Sequence, residues 1–139
     1  MSARRKAREL TLKALYAYDI SGAEAEQVAS DIIEASEIKP ESRRFSDDLF
    51  FQVVRHLKEN DELIRQNVKS WDFSRIASIE KNILRMGICE LLYYDDIPPA
   101  ISIDEAIELA KKYGEKDSRN FVNAILDSIL KDRHPGDEK

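Results

Sequence analysis

Arg4, Arg5, Lys6 and Arg8 place four cations within five positions at the start of a 139-residue chain whose formal net charge is -5. Guanidinium and ammonium groups at that density neutralise an anion, so a basic spot on an acidic protein reads as a docking site. On a helix turning about 100° per residue, Arg4, Arg5 and Arg8 share one face while Ala7, Leu10, Ala14, Ala17 and Tyr18 line another. A solvated, frayed terminus is the plainer account of the same charges. A second cluster, Asp117-Ser118-Arg119-Asn120-Phe121, combines a hydroxyl, a cation, amide donors and an aromatic ring at the start of a helix. Phosphate on the helix terminus and a base stacked on the ring would contact single-stranded RNA. Ser118 as an ordinary cap and Phe121 as ordinary core explain the residues equally well.

Two further residues raise the question of a protein partner. Tyr16 lies with Leu12 and Leu15 on the arginine side of the first helix, one or two turns further on. Either that end is buried, or the strip is a surface on which another protein docks. Glu80 projects among Ile76, Ile83, Leu84 and Gly87, where an unpaired carboxylate carries a heavy desolvation cost. It answers the helix dipole or pairs with a local cation such as Arg85, or it awaits a basic residue on a binding protein.

Traces of catalysis are missing from the chain. It has no glycine-rich phosphate loop, no dinucleotide fingerprint and only two histidines, His56 and His134. Cys89 is the single cysteine and sits in an apolar run, which excludes an internal disulfide or thiolate zinc site and fits a reducing compartment. The carboxylates Asp104, Glu105 and Glu108 suit a helix first turn better than an acid/base pair. No enzyme activity, metal or cofactor is expected. No apolar run approaches bilayer-spanning length, so a soluble, cytoplasmic protein without a membrane partner is expected.

The elements that position these clusters are helices. Gly and Pro number four each against 35% charged residues, which favours an all-α domain with exposed charged faces. Helix one spans about Ala3 to Asp19 and stops near Ser21-Gly22. A second amphipathic segment runs from Ala25 through Ile33 and is closed by Ile38-Lys39-Pro40. Ser42 is expected to cap an apolar stripe from Phe45 to Val68, broken near Asn60-Asp61 if at all. Trp71-Asp72-Phe73-Ser74 forms a junction to a central helix, Ile76 to Tyr93, apolar on nearly every side. Ile97-Pro98-Pro99 ends that segment, Ser102 caps the next helix, and Gly114 stops it. The last helix starts near Ser118, buries Phe121, Val122, Ile125, Leu126, Ile129 and Leu130, and gives way to a polar tail at His134-Pro135-Gly136. A single domain with halves of about 1–70 and 71–134 follows.

Three stretches resemble the NusB family of bacterial transcription antitermination factors: RRKARELTLKALY (Arg4 to Tyr16), SRIASIEKNILRMGICELLY (Ser74 to Tyr93) and IPPAISIDEAIELAKKYGEKDSRNFVNAILD (Ile97 to Asp127). The third is the most specific, through its order of cap, acidic turn, glycine and Phe-Val-Asn. The resemblance implies a helical bundle of two packed halves, about seven helices, and no catalysis. It implies binding of the boxA element of nascent ribosomal RNA transcripts, best as a heterodimer with NusE, a small-subunit ribosomal protein, within the RNA polymerase antitermination complex. Carried onto this chain, Arg4, Arg5, Lys6 and Arg8 form the RNA site with Asp117, Ser118, Asn120 and Phe121 as its other wall, and Tyr16 and Glu80 contact NusE. Two positions depart from the family pattern. Asp104 stands where many members have Asn, and Ala124 replaces a frequent Gly, adding a methyl where two helices are expected to pass closely.

Four cations on four phosphates of a single strand give a salt slope of about -3, or about a fiftyfold loss of affinity between ~50 and ~200 mM salt. Charge alone therefore cannot hold the RNA, and base contacts with NusE surface must supply the rest. The competing readings are an RNA-binding module like that fused to ribosomal RNA cytosine methyltransferases, although no methyltransferase region follows Lys139, and a protein-only adaptor. The sequence leaves open whether the free protein is a monomer or a homodimer that pairs through the apolar strip of helix one.

Overall fold

The computed structural model describes residues 3–68 and 73–133. Among them every regular element is helical, as the composition predicts: seven α-helices, one π-helical turn and one 3-10 turn. Trp71, Asp72 and the His134-Pro135-Gly136 tail fall outside the described residues. No described helix is long and apolar enough to cross a membrane. The chain divides into two compact units, Met1–His56 and Leu57–Lys139.

The first unit holds α1 (Ala3–Ser21), α2 (Ala25–Val28) running into the π-helical turn Ala29–Glu34, and α3 (Pro40–Arg55). Helix α1 packs on α3 and on the π-helical turn. Ala7 and Ala14 have no exposed surface, and their small side chains leave room for Leu12, Leu15, Ile33, Leu49, Phe50 and Val53, all buried. Within this seam Thr11 and Ser46 are also fully buried. The Thr11 hydroxyl lies 3.1 Å from the Ala7 carbonyl, 3.0 Å from the Ser46 carbonyl and 2.8 Å from the Ser46 hydroxyl. Buried hydroxyls need such partners, so the clasp favours one register of α1 against α3. Gly22, with φ 70°, supplies the left-handed residue that ends α1.

Three expected boundaries shift here. Pro40 opens α3 rather than closing the preceding helix, because proline lacks an N–H and its fixed φ suits the first helical position. Ser42 lies inside α3 and is buried, while Lys39 is the N-cap without a side-chain bond. The apolar stripe breaks at His56 (φ -111°, ψ 22°), ahead of Asn60-Asp61. There the ring nitrogen Nδ1 lies 3.0 Å from the Gln52 carbonyl, where it competes with the backbone.

The second unit holds α4 (Leu57–Asn67), the 3-10 turn Phe73–Arg75, α5 (Ser78–Tyr93), α6 (Pro99–Tyr113) and α7 (Ser118–Arg133). Helix α5 touches α4, α6 and α7 and is buried without a break from Asn82 to Glu90. Its buried polar groups are matched. Arg85 donates Nε and Nη2 to the two Asp61 carboxylate oxygens at 2.8 and 2.9 Å and Nη1 to Asn82 Oδ1 at 2.9 Å. Glu90 accepts from the Ser102 hydroxyl at 2.8 Å. Ser102 is therefore an internal anchor of α6 rather than its cap; Pro98 is the N-cap and Pro99 occupies the first turn. A Cβ at Gly87 would lie 2.7 Å from Leu126 Cδ1, so α5 and α7 approach closely there. Ala124, by contrast, is exposed, and its methyl meets no helix crossing. On α7, Val122, Ile125, Leu126 and Ile129 are buried, whereas Phe121 and Leu130 are only half-buried.

Candidate nucleic-acid and partner interface

In the second unit the site is built on the turn from α6 to α7. Gly114 ends α6 in an extended conformation, and a Cβ there would fall 2.6 Å from Ser118 Cβ and 2.8 Å from the Ala110 carbonyl oxygen. Only glycine lets the chain fold back this tightly. Ser118 is then 1% exposed, and its backbone N–H donates to the Glu115 carbonyl at 3.0 Å. Its hydroxyl accepts the Glu115 N–H at 2.8 Å and donates to the Glu80 carboxylate. That single oxygen ties the start of α7 to the first turn of α5.

Around this tie lies a cleft of about 380 Å³ lined by Arg75, Ile76, Glu80, Glu115, Lys116, Asp117, Ser118 and Phe121. The ring of Phe121 and the Ile76 side chain supply an apolar wall, and two cations face three carboxylates. Such a lining suits a planar, hydrogen-bonding group rather than a bare polyanion. Asp117 in this lining is exposed, as is Asn120, the residue before Phe121. Arg75, Glu115 and Lys116 are members that sequence patterns did not single out. Glu115 and Lys116 border the recognised motif directly, whereas Arg75 comes from a 3-10 turn with no periodic signal.

Glu80 thus stands in the first turn of α5, where it answers the helix dipole, and it has an intramolecular partner other than Arg85. Arg85 reaches away to Asp61, and the Ser118 hydroxyl takes its place. Among the described residues no three His, Cys, Asp or Glu side chains are grouped so as to hold a metal ion. Burial pushes the Cys89 thiol up to about 12, which leaves it without thiolate character.

The basic motif belongs to the first unit. Helix α1 has no acidic residue in its first turn. Arg4 and Lys6 are exposed and Arg5 is half-buried. Arg8 is 3% exposed and turns toward α3, its guanidinium 5.3 Å from the centroid of the Phe45 ring; Arg4 stands 4.6 Å from the same ring. The face assigned to the three arginines is therefore partly internal, because Phe45 offers Arg8 a cation–π contact inside the seam. Further along α1, Leu12 and Leu15 are buried while Tyr16 is 42% exposed and Ile20 65%. The helix end is neither wholly buried nor an open leucine strip; an isolated tyrosine and isoleucine face outward.

A family model described as the NusB family matches residues 5–131. The chain belongs to the NusB family. Among named relatives, the transcription antitermination protein NusB of Nitratiruptor sp. is 44% identical over 139 residues, covering 100% of this chain and 99% of the relative. That of Wolinella succinogenes is 40% identical over 136 residues, covering 98% and 100%. Among solved structures, T. maritima NusB superposes with a TM-score of 0.85 at 34% identity, covering 92% of this chain and 90% of that one. A crystal structure of antitermination factors NusB and NusE in complex with dsRNA superposes with a TM-score of 0.85 at 28% identity, covering 95% and 98%. The NusB-family match takes in both clusters described above except Arg4, one residue before its start.

Proposed function

We propose that this chain is a transcription antitermination factor that binds the boxA element of nascent ribosomal RNA transcripts as a heterodimer with NusE in the RNA polymerase antitermination complex. The observation that carries the reading is the likeness, over 95% of the chain, to a NusB bound to NusE and RNA. Two local features support it. Arg4 and Lys6 stand exposed on a helix turn free of acids, and the Phe121 ring lines a cleft beside exposed Asp117 and Asn120. In this reading Arg4, Arg5 and Lys6 neutralise phosphates, while Asp117, Asn120 and Phe121 contact unpaired bases. Arg8 and Ser118 serve the RNA from inside, by setting α1 on Phe45 and α7 on Glu80. Tyr16 and Glu80 face NusE.

Fluorescence anisotropy of labelled boxA RNA, single-stranded and as a duplex, tests this with and without NusE. The heterodimer binds the single strand more tightly than the chain alone, and the Arg4→Ala/Arg5→Ala variant weakens both. Equal affinity of wild type and variant for every RNA would leave a protein-only adaptor as the better account.

A further inference from the structure

Among the described residues, the amino-terminal end of α3 carries backbone donors that meet no backbone acceptor. Lys39, its N-cap residue, makes no side-chain cap bond, and Pro40 at the first position has no N–H. The first helical bond runs from the Arg43 N–H to the Lys39 carbonyl at 2.9 Å. Among the described residues no backbone carbonyl accepts from the N–H groups of Glu41 and Ser42, so they point along the positive end of the helix dipole.

A second, independent observation sits beside them. Ser42 is 5% exposed, yet among the described residues its hydroxyl has no hydrogen-bond partner. Its oxygen keeps some accessible surface, which is open to a ligand. It lines a cleft of about 490 Å³ together with Lys6, Lys39, Glu37, Ile38 and Ala3. The loop wall of that cleft is pinned in place: Arg43 Nη1 donates to the Ser36 carbonyl at 3.2 Å and the Ile38 carbonyl at 3.0 Å, and the Ser36 hydroxyl to the Ile33 carbonyl at 2.7 Å. The donors are therefore preorganised around a space rather than collapsed onto one another.

We propose that this cleft is a phosphodiester subsite, in which one backbone phosphate of an RNA strand accepts from the Ser42 hydroxyl and the α3 amides and is neutralised by Lys6 and Lys39. The assignment rests on the RNA-binding reading above and extends it to α3. Lys6 belongs to the same helix turn as Arg4 and Arg5, so a strand neutralised by those cations has its next phosphate at hand. Glu37 is the one acid in the lining and opposes the anion, so the phosphate takes the Ser42 side and Glu37→Gln strengthens binding.

The test uses the full chain with labelled single-stranded boxA RNA at several salt concentrations. Lys39→Gln lowers affinity about three- to tenfold at low salt and flattens the salt slope by about 0.7, the share of one phosphate on a single strand. Ser42→Ala lowers affinity without changing the slope, and thermal unfolding shows both variants folded, since neither side chain makes an internal bond. If both variants bind as wild type does while Arg4→Ala/Arg5→Ala loses RNA, the subsite is wrong and the antitermination reading survives. If all three match wild type, the RNA reading falls and the subsite with it. A titration with inorganic phosphate that shifts the Ser42 amide resonance, with RNA binding unaffected by either variant, would reassign the cleft to free phosphate and overturn the proposal.

Discussion

The Ser118 hydroxyl donates to the Glu80 carboxylate across 38 positions of sequence while accepting the N–H of Glu115. One oxygen thereby closes the α6–α7 turn and orients the acid in the adjoining cleft. Ser118→Ala leaves the Glu115 N–H without its acceptor and lowers stability by about 1–2 kcal/mol in urea unfolding. Glu80→Gln keeps an acceptor for Ser118, so unfolding changes little, while titration with NusE shows weaker binding. A Glu80→Gln variant with unaltered NusE affinity would remove Glu80 from the interface and leave it a purely internal anchor.

A methyl at Gly114 or at Gly87 meets obstacles of different severity. At Gly114 the obstacle includes the Ala110 backbone and the Cβ of Ser118, whereas at Gly87 it is the end of the Leu126 side chain. Gly114→Ala is expected to destabilise by more than Gly87→Ala, whose overpacking falls near 1–3 kcal/mol. Thermal unfolding of the two variants ranks them directly.

Asp61 and Arg85 form a two-bond ion pair with side chains only 16% and 8% exposed. Asp61→Asn leaves a buried guanidinium without its counter-charge and costs about 3–5 kcal/mol. Replacing both residues with apolar ones of similar volume recovers most of that loss. Denaturant midpoints of the single and double variants measure the coupling.

Two groups bind protons more tightly in the folded chain, and each defines a pH window. Asp47 is raised from 3.8 to about 6, chiefly by burial, with the hydrogen bond and charge of Glu34 adding to it. Its contribution is full below pH ~4 and is lost as pH rises through ~6. Asp47→Asn therefore stabilises the chain at pH 7, by at most about 1 kcal/mol because the group is partly exposed. Cys89 is raised from 9.0 to about 12 by burial, against the lowering effect of the Asn60 bond, with Glu90 and Glu59 adding to the rise. Its contribution is full below pH ~9 and falls away toward ~12. Urea unfolding across pH, with Asp47→Asn and Cys89→Ala as controls, reads both windows.

Periodicity located the helices more reliably than their ends. Apolar spacing placed α1, α5, α6 and α7 within a few residues of where they fold, because burial of a stripe is a repeating constraint. Ser42 and Ser102 were misread as caps because a serine near a proline suits either role. Both prolines took the first turn, which carried the serines inside, where Ser102 meets Glu90.

What the chain composition and spacing settle is the helical class, the buried run of α5 and the glycine stop of α6, since each follows from local geometry repeated along one segment. Which way Arg8 and Ser118 point was decided only by the folded units. Arg8 turns inward because α3 brings Phe45 against it, and Ser118 does so because α5 brings Glu80. A side chain's direction depends on its packing neighbour, and those neighbours lie dozens of residues away in the chain.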